Sequence, residues 1–360
     1  MKKMIIGIVA LVIALSFTGC SEAKSSSEAD DTRIENSKTS SDNESVLASS
    51  SQEDASKNNE QQTDNSKVIA SGDCGENGDN VMWKLHEDGL LVIEGSGKMK
   101  DYPIDEKNIW ADSNNDVYTT PWRNYNDKIK SVAVLEGVTY IGEGTFYGFK
   151  LNSLILPDSL ETLRLFGFMR ERIYLSSLRI PKGIKKIGGE FIDLYNIENL
   201  ETIEVDEENE YFSSVDGVLY NKDKTILLSC PPKKSEVVIP YGVKTIGAYA
   251  FRECTEISTI ELPVTVKSIE PYAFSWCTEL SNVSIPEGLT SIGDEAFAVS
   301  TKITSIYIPN SVTKIGGDAF SDHGGPMETT DHERITISCY AGSAAEKYAK
   351  KYRLKYELID

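Results

Sequence analysis

The chain has 360 residues, 56 of them acidic against 37 basic, for a formal net charge of −19. Nothing in that balance could replace phosphate counterions, which excludes nucleic acid as a partner. At 40% hydrophobic residues the chain is long enough and apolar enough to bury a sizeable core.

The N-terminus reads as an export signal. Met1-Lys2-Lys3 is a positive head, Ile5 to Phe17 an apolar run of 13 residues, and Thr18-Gly19-Cys20 its end. A run of that length is too short to cross a bilayer, which needs about 20 residues. The small residues before Cys20 resemble a bacterial lipobox, with cleavage of residues 1–19 and diacylglycerol on the Cys20 sulfur. Phe17 departs from the leucine usual in such boxes, and an ordinary signal peptide ending near residue 20 is the alternative. Multiple acylation of Cys20 would hold the protein on the outer face of the membrane through its lipid alone.

Residues 20–67 follow as a different material. Ser21 to Lys67 contains thirteen serines and no aromatic residue, and Ser21 to Ser66 has eleven acids against four bases. Such a stretch cannot bury enough apolar surface to offset its ordering entropy, so a disordered, self-repelling tether is expected. The folded part is then 68–360. Its first section, 68–130, reads as a β cap, with Val81–Leu85 and Leu90–Glu94 flanking a tight turn at Asp88-Gly89 and Trp83 placed to cover the first rung. Asp112 to Asp116 begins like a calcium loop, but Val117 and Arg123 stand where glycine and an acid are required.

From residue 131 to 340 the chain repeats itself. In its second half Ile246, Ile269, Ile292 and Ile315 recur at a step of 23, as do Phe251, Phe274, Phe297 and Phe320, and Pro240, Pro263, Pro286 and Pro309. Three residue types locked to one period indicate a solenoid, whose units bury their apolar faces by stacking. Within one unit Val283-Ser284-Ile285 alternates as a short strand, Pro286 ends it, Leu289 to Ile292 turns inward again, and Gly293 is read as the site of a sharp bend. Worn copies occur at Ile141-Gly142, Leu156-Pro157 and Ile180-Pro181. Between Ile187 and Ile246 lie 36 residues more than one period. Much of that segment reads as a hairpin insertion at about 207–235, turning at Asp216-Gly217 and again at Asn221–Thr225. Residues 341–360 close the stack, with a capping box at Ser343–Glu346 opening a helix through Tyr352 and a last strand at Tyr356–Ile359.

The frame Leu-x-x-Ile-x-Ile-Pro-x-x-Val-x-x-Ile-Gly-x-x-Ala-Phe-x-x-Cys is similar to the BspA-like leucine-rich repeat family of bacterial surface proteins. That resemblance covers about residues 128–340. It implies a leucine-rich repeat stack with a parallel β-sheet, an α+β solenoid displayed outside the cell for adhesion or protein binding. It transfers no catalytic residues. No nucleophile–base motif, phosphate loop or dinucleotide fingerprint occurs, and neither an enzyme nor a cofactor is expected.

Candidate binding residues follow from the columns a parallel stack presents. One column carries Arg179, Val238, Glu261, Ser284 and Tyr307; the other carries Lys185, Lys244 and Lys267, with Lys314 beside it. A lysine column on an acidic chain suits an acidic partner, with plain solubilising residues as the alternative reading. The partner is expected to be a protein or glycan at the cell surface and the chain a monomer. A scaffold docking other envelope proteins of the same cell is the alternative function. His323 and His332, with Asp322, Glu328, Asp331 and Glu333, have the donor types of a divalent metal site, but glycine, proline and threonine there favour a solvated loop, and no metal is expected. Cys254 and Cys277 share one repeat position; packing as free, apolar thiols is preferred over a disulfide.

Overall fold

Each regular unit folds as two short strands separated by a proline corner and closed by a turn. The computed structural model describes residues 66–102, 120–146, 149–163, 174–188, 194, 197–322 and 334–360. Asn282–Ser284 lies parallel to Thr259–Glu261, with Val283 opposite Ile260. Past Pro286, Ser291–Ile292 pairs in parallel with Ser268–Ile269 on one side and Lys314–Ile315 on the other. Two parallel ladders therefore run along the molecule, one on either side of the corner. Val283, Ile285, Leu289, Ile292, Ala296 and Phe297 all point inward and are buried. The expected parallel solenoid of leucine-rich repeat type is thus the fold, with strands shortened to two or three residues because each must turn back to stack.

The sharp bend is made differently from the expectation. In the regular units Gly247, Gly293 and Gly316 of the Ile-Gly pairs do not adopt a left-handed conformation, although Gly188 of the irregular half does; the left-handed residues of the regular units are Tyr249 and Glu253, Tyr272 and Trp276, Glu295 and Val299, again 23 apart. Gly293 is glycine because a Cβ would lie 2.4 Å from the Pro271 nitrogen and 2.6 Å from the Glu270 carbonyl carbon. Its role is close approach between rungs, not freedom to turn. The left-handed turns are held by a third set of inter-rung bonds. Tyr249, Phe251 and Glu253 donate their N–H groups to the carbonyls of Pro271, Ala273 and Ser275, and the next units repeat this.

The inserted hairpin does not hang from the stack. Phe212–Val215, Val218–Asn221 and Ile226–Ser229 form an antiparallel meander, and Ile226–Ser229 then pairs in parallel with Thr245–Ile246. Its last strand thereby serves as a rung, with Leu227 opposite Ile246. Val218–Asn221 is buried on both faces. Val218 and Tyr220 pack into the apolar core of the C-terminal units and Leu219 into that of the N-terminal units. Period-two alternation thus makes one strand the partition between two cores.

Both ends are closed. Val68–Gly75, Gly78–His86 and Leu90–Gly95 form an antiparallel meander, and Leu90–Gly95 pairs in parallel with Ser131–Val134, so the cap strand is also a rung. Trp83 is buried edge-on against Trp122, ring centroids 5.8 Å apart. At the other end Ser343 caps the helix Ala344–Tyr352 by accepting from the Glu346 N–H, while the Glu346 carboxylate accepts from the Gly342 N–H. Ala345, Tyr348 and Ala349 of this helix are buried, the Tyr348 ring meeting Phe320 edge-on at 5.9 Å. Lys355–Ile359 adds the final parallel strand beside Thr336–Tyr340.

Candidate functional site

Two surfaces stand out, and both arise where the C-terminal repeat begins. The first is at the proline corner. One corner position holds Tyr241, Val264, Glu287 and Asn310 in successive units, and Val238 stands two residues before the first corner, in a segment that forms no strand although the sequence places it in the outward column. Corners are tied together by side chains, Gly242 N–H to Thr265 Oγ1 at 3.1 Å and Gly288 N–H to Ser311 Oγ at 3.0 Å. Val238, Tyr241 and Val264 are 85%, 81% and 61% exposed, although polar residues serve equally well at these positions in later units. Lys244 and Lys267 follow in the second ladder, both exposed and, among the described residues, without an ion-pair partner.

The expected columns are only partly assembled. Lys244 and Lys267 precede neighbouring strands of one sheet. Lys185 precedes a strand of a different sheet, on the far side of the meander, and is paired with Glu161 at 2.9 Å. Arg179 pairs with Asp206 and lies 3.8 Å from Asp158. Tyr307 donates its hydroxyl to Glu287 at 2.6 Å, and burial followed by that bond pushes its pKa upward. Glu261 and Lys314 are exposed on their strands. The apolar corner residues Tyr241 and Val264 were not among the candidates read from sequence. Their signal is an apolar residue at a repeat position that is polar elsewhere.

The second surface is a groove of ≈ 500 Å³ beside the first regular turn. Its walls include Glu198, Pro232, Lys233, Arg252, Glu253 and Trp276. It exists because the preceding segment has no regular turn to stack there. The Cys230 N–H reaches the Ala250 carbonyl, but Pro231 and Pro232 have no N–H with which to continue the ladder. The Arg252 guanidinium lies 5.6 Å over the Tyr249 ring, and its Nε lies 3.5 Å from the Glu253 carboxylate. Burial raises the Glu253 pKa, against the opposing pull of Arg252. Tyr249 stacks on Tyr272 at 4.9 Å; the Tyr272 hydroxyl donates to Glu295, which together with burial pushes its pKa up to about 12. Trp276 keeps 42% of its surface exposed at the groove.

The five cysteines among the described residues are buried free thiols. Cys277 is more than a small apolar filler, since its Sγ donates to the Phe251 carbonyl at 2.9 Å, as Ser300 Oγ does to Phe274 at 2.6 Å. No group of three or more His, Cys, Asp or Glu able to hold a metal is found among the described residues. His323 and His332 lie outside them, as do Cys20, the calcium-like segment 112–116 and nearly all of the tether. No helix among the described residues is long and apolar enough to cross a membrane.

No curated protein matches the chain. Among solved structures it is similar to a leucine-rich repeat protein from Eubacterium ventriosum, with 22% identity, 72% of this chain and 98% of that one covered, and a TM-score of 0.34. It is also similar to the pneumococcal vaccine antigen PcpA, with 17% identity, coverage of 78% and 97%, and a TM-score of 0.43. A leucine rich cell surface protein from Faecalibacterium prausnitzii gives 19% identity, coverage of 79% and 98%, and a TM-score of 0.43. The BspA type leucine rich repeat region matches in six copies over residues 123–216 and 229–336, more than half of the chain. With the repeat frame, the two parallel ladders and this match in agreement, the chain belongs to the BspA type leucine-rich repeat family.

Proposed function

We propose that the protein is an exported, non-catalytic surface receptor or adhesin, monomeric and anchored through acylated Cys20, with 20–67 as the tether that holds the solenoid away from the membrane. Its partner is a protein with an acidic, partly apolar face, docked on the corner surface of the C-terminal units. The observation that carries this reading is the pairing of exposed Val238, Tyr241 and Val264 with Lys244 and Lys267, which have no ion-pair partner among the described residues, on a chain of net charge −19. Apolar groups left open at repeat positions that tolerate polar residues mark an interaction site, and local cations on an acidic protein steer acidic partners.

The test is capture by the immobilised full chain from host matrix extract and, separately, from the cell's own envelope extract, with every retained protein identified. The expected result is a host protein retained saturably, and weakened about ten-fold or more by Lys244→Glu with Lys267→Glu and by Tyr241→Ser with Val264→Ser. Retention unaffected by either pair of changes would move docking off the corner. Retention of envelope proteins alone would replace the adhesin with a scaffold of the cell's own surface. Radiolabelled palmitate incorporated by the wild type and lost in Cys20→Ala tests the anchor.

A further inference from the structure

The groove beside the first regular turn has a composition that the fold does not require. Trp276 occupies a left-handed turn position, φ 64°, where the units before and after carry Glu253 and Val299. The frame therefore accepts a carboxylate or a small aliphatic group there, and stacking does not explain an indole left 42% exposed. What the indole offers the groove is a broad apolar face with a polar N–H at one edge.

Around it stand hydrogen-bonding groups of every kind. Glu253 brings a partly buried carboxyl and Arg252 a guanidinium 3.5 Å from it; Asn199, Thr255 and Thr278 add an amide and two hydroxyls. Charges along the lining balance, Glu198 and Glu253 against Lys233 and Arg252, and Lys233 already pairs with Glu256 at 3.0 Å. A polyanion would find no net attraction here. An extended peptide would seek an open strand edge to add to, whereas the groove is walled by turns and by Pro232. A neutral pyranoside matches what is present, with an apolar C–H face for the indole and rings of hydroxyls that both donate and accept. A volume of ≈ 500 Å³ lies within the range of about 300–1,000 Å³ usual for small-ligand sites.

We propose that this groove is a binding site for a short neutral oligosaccharide, with Trp276 as the stacking platform and the Arg252–Glu253 pair as the group that orients the sugar hydroxyls. It is independent of the corner surface, which would take a different partner.

The experiment titrates the full-length chain with maltotriose, cellotriose, chitotriose and laminaritriose, and with a heparin-derived tetrasaccharide as the charged comparison. The readout is the Trp276 indole N–H resonance, assigned by its disappearance in Trp276→Phe. At least one neutral trisaccharide is expected to shift that resonance saturably. Trp276→Ala should weaken its binding, read by calorimetry, by about ten-fold or more, Trp276→Phe by less, and Lys244→Glu with Lys267→Glu not at all. Circular dichroism of Trp276→Ala should match the wild type, the side chain being half open to solvent. Silence with every neutral sugar, a response to the heparin fragment alone, or equal affinity in Trp276→Ala would overturn the proposal. A loss in the lysine pair matching that in Trp276→Ala would assign the sugar to the corner surface and overturn it as well.

Discussion

The two halves of the solenoid bury their aromatic rings by opposite means. In the C-terminal units Phe251, Phe274, Phe297 and Phe320 form one column, with centroids 4.9, 5.1 and 5.3 Å apart and planes within 13°, 2° and 1° of parallel. In the N-terminal units Trp83, Trp122, Phe146 and Phe149 interlock, with interplanar angles of 50° to 80° at 5.8 to 6.5 Å. Isolated aromatic pairs favour edge-on or offset contact, which the N-terminal cluster achieves freely. In the column, translation by one rung of about 4.8 Å forces each ring to repeat its neighbour's orientation. Regularity thus makes packing a nearest-neighbour matter, whereas the irregular half depends on particular partners.

The largest effect should come from the middle of the column. Phe274 is fully buried between two copies of itself, and Phe274→Ala should cost about 3–5 kcal/mol in urea unfolding followed by far-UV circular dichroism. Faster hydrogen exchange should be concentrated in the core running from Val218 to Leu354, sparing the core from Cys74 to Ile203. A loss spread evenly over both cores would mean that the meander does not partition them and that the two halves unfold as one.

The comparison sharpens at the glycines. Gly293→Ala places a methyl group against backbone, not against a side chain that can move, and should cost about 1–3 kcal/mol on the same assay. A neutral outcome would show that the rungs can separate locally, and that the column is softer than its register suggests.

These glycines also show how far the sequence could be read. The period of Ile, Phe and Pro was visible because every unit must present the same inward face, and it carried the solenoid, the corner and the order of units. What a repeated glycine is for was not visible. A Gly at a fixed step looks like a bend, whereas the bends are made by Tyr, Glu, Trp and Val in left-handed conformation, held by hydrogen bonds from the next rung that no single unit contains. The meander at 212–229 was legible as strands and turns, but not as a partition, because that depends on which core each face of Val218–Asn221 meets. The same holds for the candidate surfaces. Outward columns could be counted in sequence, but the break between Lys185 and Lys244, and the groove left beside Pro232, exist only where unlike units meet.

The smallest effect concerns the column of side-chain donors that runs beside the phenylalanines. The repeat position of Cys277 suits an apolar filler, and its neighbours separate that role from a donor role. The Phe251 carbonyl accepts the Cys254 N–H at 3.0 Å and the Cys277 thiol at 2.9 Å. One unit later the Ser300 hydroxyl takes the same place on Phe274, and at the end of the column the Arg334 guanidinium reaches Phe320 at 3.1 Å. If donation is what the position supplies, Cys277→Ser should leave stability within about 0.5 kcal/mol of wild type, while Cys277→Val, similar in volume but unable to donate, should lose about 1 kcal/mol. Burial holds the Cys277 pKa well above its ordinary value, so the thiol keeps its proton and its donor at neutral pH. The opposite order, valine preferred to serine, would return the residue to simple hydrophobic packing. It would also leave the phenylalanine column, rather than the hydrogen bonds beside it, as what distinguishes the regular half.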